Sequence, residues 1–180
     1  MKTRTLKCIG ITALLGLALG VGTARAVDFI DGTITVTPVA GVSLSLTPNS
    51  YAFGSLDVNT SSNSATALVL ANTGNVNVTV DKAIQSSPGW TAGEAKGPDQ
   101  YVLYCATAEA RIGLVAFADA KPPKFGAISA SSNLTNADGA SDPVILVSGS
   151  VNLWFKLDMP SSVSAQTSRT ITVRFTAVPQ

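Results

Sequence analysis

The most regular feature of the chain is an alternation of apolar and polar side chains with a period of two, which is typical of β-strands that bury one face. Residues 170–177 show this alternation most strictly, and it recurs in residues 151–157 and 76–81. Glycines, prolines and asparagines separate the strand-like runs. The sequence therefore predicts an all-β protein: one sandwich of two mainly antiparallel sheets with about ten strands.

Two short polar turns lie between strand-like runs. The tetrapeptide NTGN at residues 72–75 follows a run that is apolar on nearly both faces and precedes a valine-rich strand. The tripeptide SGS at residues 148–150 separates two further strand-like runs. Glycine and asparagine tolerate the positive φ angles that short hairpin loops require. We therefore expect the strands on either side of each turn to pair as a β-hairpin.

Residues 1–26 have the layout of a secretory signal peptide. Basic residues precede an apolar stretch over residues 9–21, and small residues occupy the positions that define cleavage. The apolar stretch is shorter than the ~20 residues that span a bilayer, which argues against a retained membrane anchor. We expect an exported chain that begins at Val27, forms a single β-sandwich domain over residues 27–180 and has no membrane contact after cleavage. Such a chain is secreted or located at the cell surface, and a periplasmic location also fits.

The first strand-like run of the exported chain covers residues 27–37. Ile30, Ile34 and Val36 lie on one face of it, opposite aspartate and threonine side chains. One interpretation is that this run forms the first strand of the sandwich. The other is that it is a donor strand, which pairs with the open sheet edge of the next subunit by β-augmentation.

Residues 44–90 contain an ordered series of short motifs. The order is LTP at residues 46–48, FG at residues 53–54, a polar spacer, an apolar strand, NTG at residues 72–74 and a valine-rich strand. This series resembles the bacterial exported immunoglobulin-like domains called choice-of-anchor D, which are related to the ASH domains of ciliary proteins. The resemblance implies an immunoglobulin-like β-sandwich that acts as a binding or architectural module without a catalytic site.

Charge and residue inventory exclude several classes of function. Loss of residues 1–26 removes four of the 12 basic residues and none of the 11 acidic ones, which leaves a net charge of about −3 and nothing that attracts nucleic acid. The chain has no histidine, which excludes Ser-His-Asp and Cys-His catalysis and histidine-based zinc sites. A glycosidase needs only two carboxylates, but the acidic residues are scattered without a motif. We expect a protein that is not an enzyme and binds no cofactor.

One predicted surface loop, over residues 126–142, contains side chains that could bind calcium: Asn136, Asp138 and Asp142. Calcium takes six to eight oxygen ligands, and the carboxylates and carbonyls of a short loop can supply some of them. The spacing does not match an EF-hand, and Asn-Ala-Asp-Gly is also ordinary turn chemistry. Calcium binding and a plain turn both remain as interpretations.

Three other side chains allow both a structural and a functional interpretation. Trp90, in an irregular stretch between strands, either caps one end of the sandwich or is a surface aromatic for sugar or protein binding. Trp154 lies on the outer face of its strand, where it either forms a contact surface or packs under a loop. Cys105, the only cysteine beyond the leader, is either a buried inert thiol or one half of an intermolecular disulfide.

These features leave two hypotheses for function. The first is an exported, non-enzymatic structural protein of the cell surface or extracellular matrix, such as a fibre or pilus subunit that uses residues 27–37 for β-pairing between subunits. Its partners are then copies of itself or other envelope and surface proteins. The second is a monomeric secreted adhesion or ligand-binding module, for which Trp90 and Trp154 are the candidate surface aromatics.

Overall fold

The computed structural model describes residues 32–113, 125, 132–136 and 143–180. The predicted signal peptide and Ile30 lie outside these residues. The chain divides after Thr37 into an amino-terminal unit and a second unit, Pro38–Gln180, which contains every strand described below. In the amino-terminal unit, residues 32–37 belong to no strand.

Ten strands make up the regular structure of the described residues, and no helix occurs among them. This confirms the prediction of an all-β protein. In chain order the strands are β1 (Leu44–Thr47), β2 (Ser61–Asn63), β3 (Leu68–Asn72), β4 (Val78–Ser86), β5 (Thr91–Ala92), β6 (Gln100–Thr107), β7 (Ser132–Asn133), β8 (Thr135–Asn136), β9 (Ser150–Asp158) and β10 (Thr172–Pro179).

The strands form two sheets, as the alternation predicts. The large sheet has seven strands: its main order is β1-β3-β9-β6-β5, while β2 also pairs with β9 and β8 also pairs with β6. The small sheet has three strands in the order β10-β4-β7. Among the described pairs, β5 and β8 run parallel to β6, and all others are antiparallel. The prediction of two mainly antiparallel sheets is confirmed.

The main core lies between the two sheets and is built by alternate residues of their strands. In β9, Leu153, Phe155 and Leu157 belong to this core, whereas Trp154 belongs to a second cluster on the other face of the large sheet. Burial stabilises each such large apolar side chain by ~1.5–3 kcal/mol, so the alternation determines which face packs inward. The other strands contribute the buried residues Leu68, Leu70, Val78, Val80, Ile84, Tyr101, Leu103 and Cys105.

The strictest alternation in the sequence correctly predicts the strand β10 and its core-facing side. Val173, Phe175 and Ala177 pack against the main core, whereas Arg174 and the other residues of the opposite face are exposed. The strand pairs with β4 over its whole length. It therefore forms one edge of the small sheet.

The hairpin predicted around residues 72–75 is wrong. β3, which precedes the turn, pairs with β1 and β9 in the large sheet. β4, which follows the turn, pairs with β10 and β7 in the small sheet. The turn therefore carries the chain from one sheet to the other instead of back along the same sheet.

The side chain of Asn72 explains this change of sheet. Its Nδ2 amide donates to the carbonyl oxygens of Val76 (2.8 Å), Ile145 (3.1 Å) and Leu146 (3.2 Å). Its Oδ1 accepts a hydrogen bond from the Gly74 backbone N–H at 3.0 Å. Because Asn72 is only 1% exposed, these backbone groups take the place of water, and the amide holds the corner between the sheets.

A second crossing between the sheets lies beside the first. Ile145 forms a two-way backbone bridge with Val78 of the small sheet, with N···O distances of 2.7 and 3.0 Å. The chain then enters the large sheet as β9, and on the way the carbonyl of Gly149 accepts a hydrogen bond from Asn72 N at 2.9 Å. The hairpin predicted at residues 148–150 is therefore also wrong, because its two arms belong to different sheets.

The predicted surface loop over residues 126–142 contains strands in its described part. β7 pairs with β4 and β8 pairs with β6, and the only residue between β7 and β8 is the fully buried Leu134. A single residue thus joins the two sheets, so the sandwich is closed on this side. The prediction of a loop is wrong for residues 132–136, and the other residues of the range lie outside the described residues.

We predict that Asn72→Ala destabilises the protein by about 2–4 kcal/mol, because the buried corner loses at once the hydrogen bonds that this amide makes to three carbonyl oxygens and to the Gly74 N–H. Urea denaturation of the chain that begins at Val27 measures this change. Asn75→Ala is the matched control: Asn75 is an exposed asparagine in the same turn, and its loss should cost less than about 1 kcal/mol. Equal losses for the two variants would contradict the role given to Asn72.

Candidate functional site

On one side of the sandwich, the edge strands of the two sheets are β1 and β10. The small sheet ends at β7 on one side and β10 on the other, and the large sheet ends at β1 on the side opposite β5 and β8. Because Leu134 joins β7 directly to β8, these two strands mark the same side of the molecule. β1 and β10 therefore flank the opposite side, and no described strand pairs with the outer edge of either one. We call this the open side.

The core is less well covered on the open side than elsewhere. The three inward-facing residues of β10, together with Leu44 and Leu46 of β1, pack against the main core but are only half-buried. The corresponding residues of β4, such as Val78 and Val80, are fully buried. Apolar side chains on the core-facing sides of β1 and β10 therefore remain partly exposed to solvent.

The outward-facing backbone groups of β10 follow from its pairing with β4. Gln180 N donates to Asn77 O at 2.9 Å, which marks this position as a hydrogen-bonded pair. In an antiparallel ladder such pairs alternate with non-hydrogen-bonded ones. Because the register from there to Val173 has no shift, Val173, Phe175 and Ala177 direct their N–H and C=O groups away from β4.

The same argument applies to β1, which offers a shorter edge. Thr73 N donates to Ser43 O at 3.0 Å, so the residues at alternate positions, Leu44 and Leu46, direct their backbone groups away from β3. The strand ends before Pro48, as predicted, because proline has no N–H to donate. β1 thus presents two outward-facing residues, and β10 presents three.

Of the two roles predicted for the amino-terminal run, the described residues do not support that of first strand. Residues 32–37 do not form the first strand of the sandwich, which is β1. Ile34 and Val36, which the sequence places on one apolar face, are 89% and 78% exposed. A short threonine-rich segment without strand partners gains nothing from its alternation until a partner covers its apolar face. The donor-strand interpretation, including its residue Ile30, stays a prediction.

The second unit begins with a segment that is fastened to the turn after β3. Asn75 accepts a hydrogen bond from Gly41 N on its Oδ1 (2.6 Å) and donates from Nδ2 to Val39 O (3.1 Å). A Cβ at Gly74 would collide with the carbonyl oxygen of Gly41, so the close approach requires glycine there. Val39 and Val42 remain exposed, which extends the apolar character of the segment toward β1.

Trp90 lies at one end of the main core rather than on an open surface. It is half-buried, packs against the core, and its ring lies 6.2 Å from that of Tyr101, centroid to centroid. Its backbone N–H donates to Ser87 O at 3.1 Å, which forms the tight turn that places it. This position agrees with a tryptophan that caps the end of the sandwich.

Trp154 is not a surface aromatic, so that prediction is wrong. It faces the outer side of the large sheet as predicted, but it is only 8% exposed, in a cluster with Val102, Ala106 and Ile112. Its Nε1 donates to Ala108 O at 3.0 Å. The loop after β6 covers the indole, which agrees with the other interpretation of Trp154, that it packs under a loop.

A buried polar network lies near this second cluster. Lys156 Nζ is 3.3 Å from Asp158 Oδ1 and 4.6 Å from the centroid of the Tyr104 ring. The Tyr104 hydroxyl donates to Asp158 Oδ2 at 3.1 Å. Burial, with the nearby Asp158 carboxylate, raises the pKa of Tyr104 to about 12, so the phenol stays protonated and able to donate. An ion pair, a hydrogen bond and a cation–π contact thus link the three groups, which is the pattern of a structural network.

The calcium candidates gain no support from the described residues. Asn136 lies in β8, and its Oδ1 accepts a hydrogen bond from Thr107 Oγ1 at 2.7 Å. Asp138 and Asp142 lie outside the described residues. Within residues 32–113, 132–136 and 143–180, no three His, Cys, Asp or Glu side chains are grouped so that they could hold a metal ion.

Comparisons with known proteins leave the resemblance of residues 44–90 as a prediction. No protein-family model matches the sequence, and no curated protein is significantly similar to it. In the part of the chain that the structure describes, no helix has the length and apolar character needed to cross a membrane.

The free edge of β10 is the feature that sequence reasoning missed. The alternation of residues 170–177 correctly predicts a strand with one buried face. It carries no information about how many neighbours the strand has, because pairing is made by backbone groups that every residue shares.

We predict that Cys105 is inert to thiol reagents in the native protein. The side chain is fully buried beside Tyr101 and Leu103, and burial raises the pKa of its thiol to about 12. In the chain that begins at Val27, a maleimide or disulfide reagent at pH 8 should label Cys105 only after urea is added. Rapid labelling without urea, or a disulfide-linked dimer on non-reducing electrophoresis, would contradict this.

Proposed function

We propose that this protein is an exported, non-enzymatic structural subunit of the cell surface or extracellular matrix, which assembles into filaments by β-pairing of residues 27–37 with another copy. One observation carries the proposal. Ile34 and Val36 form an exposed, alternating apolar row that belongs to no strand, while β1 and β10 of the same chain have no described partner on their outer edges. A donor and acceptors for strand addition are thus present in one molecule.

The properties of the edges support assembly. A long strand with unpaired N–H and C=O groups is a template for pairing with another chain, and proteins that stay monomeric usually shorten, bulge or cover such strands. β10 is eight residues long and pairs on one side only among the described residues; its register shift lies between Thr172 and Val173 and it ends at Pro179, so residues 173–178 form its regular edge. The half-buried apolar row behind it gives an added strand something to pack against.

The properties of the segment support its role as donor. Residues 33–37 read Thr-Ile-Thr-Val-Thr, so every residue is β-branched and suited to a pleated strand. The segment has no strand partner within the described chain. Pairing with a neighbouring subunit would bury Ile34 and Val36 and satisfy backbone groups on both partners.

Residue chemistry supports a role without catalysis. The chain has no histidine, and the buried Lys156 pairs with the half-buried Asp158. The Cys105 thiol lies inside the core. The two charged groups therefore pair with each other and the thiol packs in the core, which fits a structural subunit.

We predict that deletion of residues 27–37 abolishes assembly and leaves a soluble, folded protein that begins at Pro38. Size-exclusion chromatography and negative-stain microscopy should show filaments or large ordered oligomers for the exported chain and monomers for the deletion variant. Circular dichroism of the variant should keep its β-sheet spectrum, because all ten described strands lie beyond the deletion. Unchanged assembly of the variant would contradict the proposal.

A matched pair of substitutions separates the apolar face from the rest of the segment. Ile34→Asp places a charge on the face that is expected to become buried, and should prevent assembly. Thr35→Asp places the same charge on the opposite face, and should be tolerated.

If the exported chain is monomeric at every concentration tested, the monomeric ligand-binding module becomes the better hypothesis, and Trp90→Ala is then the first variant to test against glycans and proteins.

A further inference from the structure

We infer that the acceptor for the donor segment is the outer edge of β10, and that its occupant is the segment of residues 30–37 from a second copy of this chain. This inference rests on the proposed function and adds to it the site where the subunits meet. It places the incoming strand beside β10 in the small sheet, with its apolar side chains on the same core-facing side as Val173, Phe175 and Ala177.

The number of strands in each sheet favours this site. The main path of the large sheet has five strand positions, whereas the small sheet has three. A strand added beside β10 brings the small sheet to four strands and gives the half-buried Val173, Phe175 and Ala177 a neighbour on their open edge.

The lengths of donor and acceptor also match. β10 covers eight residues, as does the segment 30–37. The outward-facing residues of β10 recur at every second position. The apolar residues Ile34 and Val36 of the segment have the same spacing, and Ile30 lies on the same face, separated from Ile34 by the small Gly32. β1 is only four residues long and ends before a proline, so it offers a much shorter ladder.

Charge complementarity points to the same pairing. Residues 27–37 contain two aspartates and no basic residue. β10 contains Arg174 and no acidic residue, and Arg174 is exposed on the outer face of the sheet. Asp31 shares the polar face of the segment with the threonines, so pairing on β10 puts it on the same face of the sheet as Arg174.

Ala177→Pro tests the edge without touching the ladder to β4. Ala177 directs its N–H outward, so proline removes a donor only on the free edge, where proline is tolerated. We expect the full chain with this variant to keep its thermal midpoint within a few degrees and to need about tenfold more protein to assemble, or not to assemble at all. Val178→Thr is the control: it changes the neighbouring exposed side chain, keeps every outward donor and should assemble normally.

Hydrogen exchange tests the same site without a substitution. A synthetic peptide of residues 27–37 is added to the chain that begins at Pro38, and backbone amides are followed by NMR. We expect the amides of Val173, Phe175 and Ala177 to become protected as the peptide saturates. The amides of Arg174 and Thr176, which face β4, should be protected with or without the peptide.

The outcomes distinguish this inference from the proposed function. If the deletion variant cannot assemble but the peptide protects no β10 amide, the acceptor lies elsewhere and this inference is overturned, while the donor role stands. If Ala177→Pro folds and assembles at the same concentration as the unmodified chain, the inference is likewise overturned. If the deletion variant itself assembles, the donor role fails and the proposed function fails with it.

Discussion

The arrangement of the whole sandwich depends on one buried amide. Asn72 lies where the chain leaves the large sheet, and its side chain bonds backbone groups of the turn that follows and of the second crossing at Ile145 and Leu146. A buried amide without such partners would be costly, so these groups are held in one arrangement. Because both crossings meet at this residue, it determines that β4 begins in the small sheet and that β9 returns to the large one.

This corner has a consequence on the far side of the molecule. Since β3 does not turn back into a hairpin, the carboxy-terminal strand β10 becomes the neighbour of β4 and the last strand of the small sheet. The opposite side is closed by the single buried residue between β7 and β8. The sandwich is therefore asymmetric: one side is joined by the chain itself, and the other leaves β1, β10 and a half-buried apolar row without a described partner.

Side-chain alternation predicted local structure well and topology poorly. It correctly gave the strand class, the buried faces of β9 and β10 and the buried position of Cys105, because burial of apolar groups is a property of each residue. It failed at residues 72–75 and 148–150, where a tight turn and a crossing between sheets have the same residue types. It also could not show that the loop after β6 covers Trp154, since a strand face that is apolar can be covered by a loop, a sheet or a partner. The free edge of β10 was invisible for the same reason: edges are defined by missing neighbours.

The central claim is that the open side is completed by another copy of the chain. The most direct measurement is a cryo-electron microscopy map of the assembled protein at a resolution that separates strands. The account predicts one additional strand beside β10, hydrogen-bonded to Val173, Phe175 and Ala177 and traceable to residues 30–37 of the neighbouring subunit. A map in which the outer edge of β10 faces solvent, or in which subunits meet through other surfaces, would contradict it.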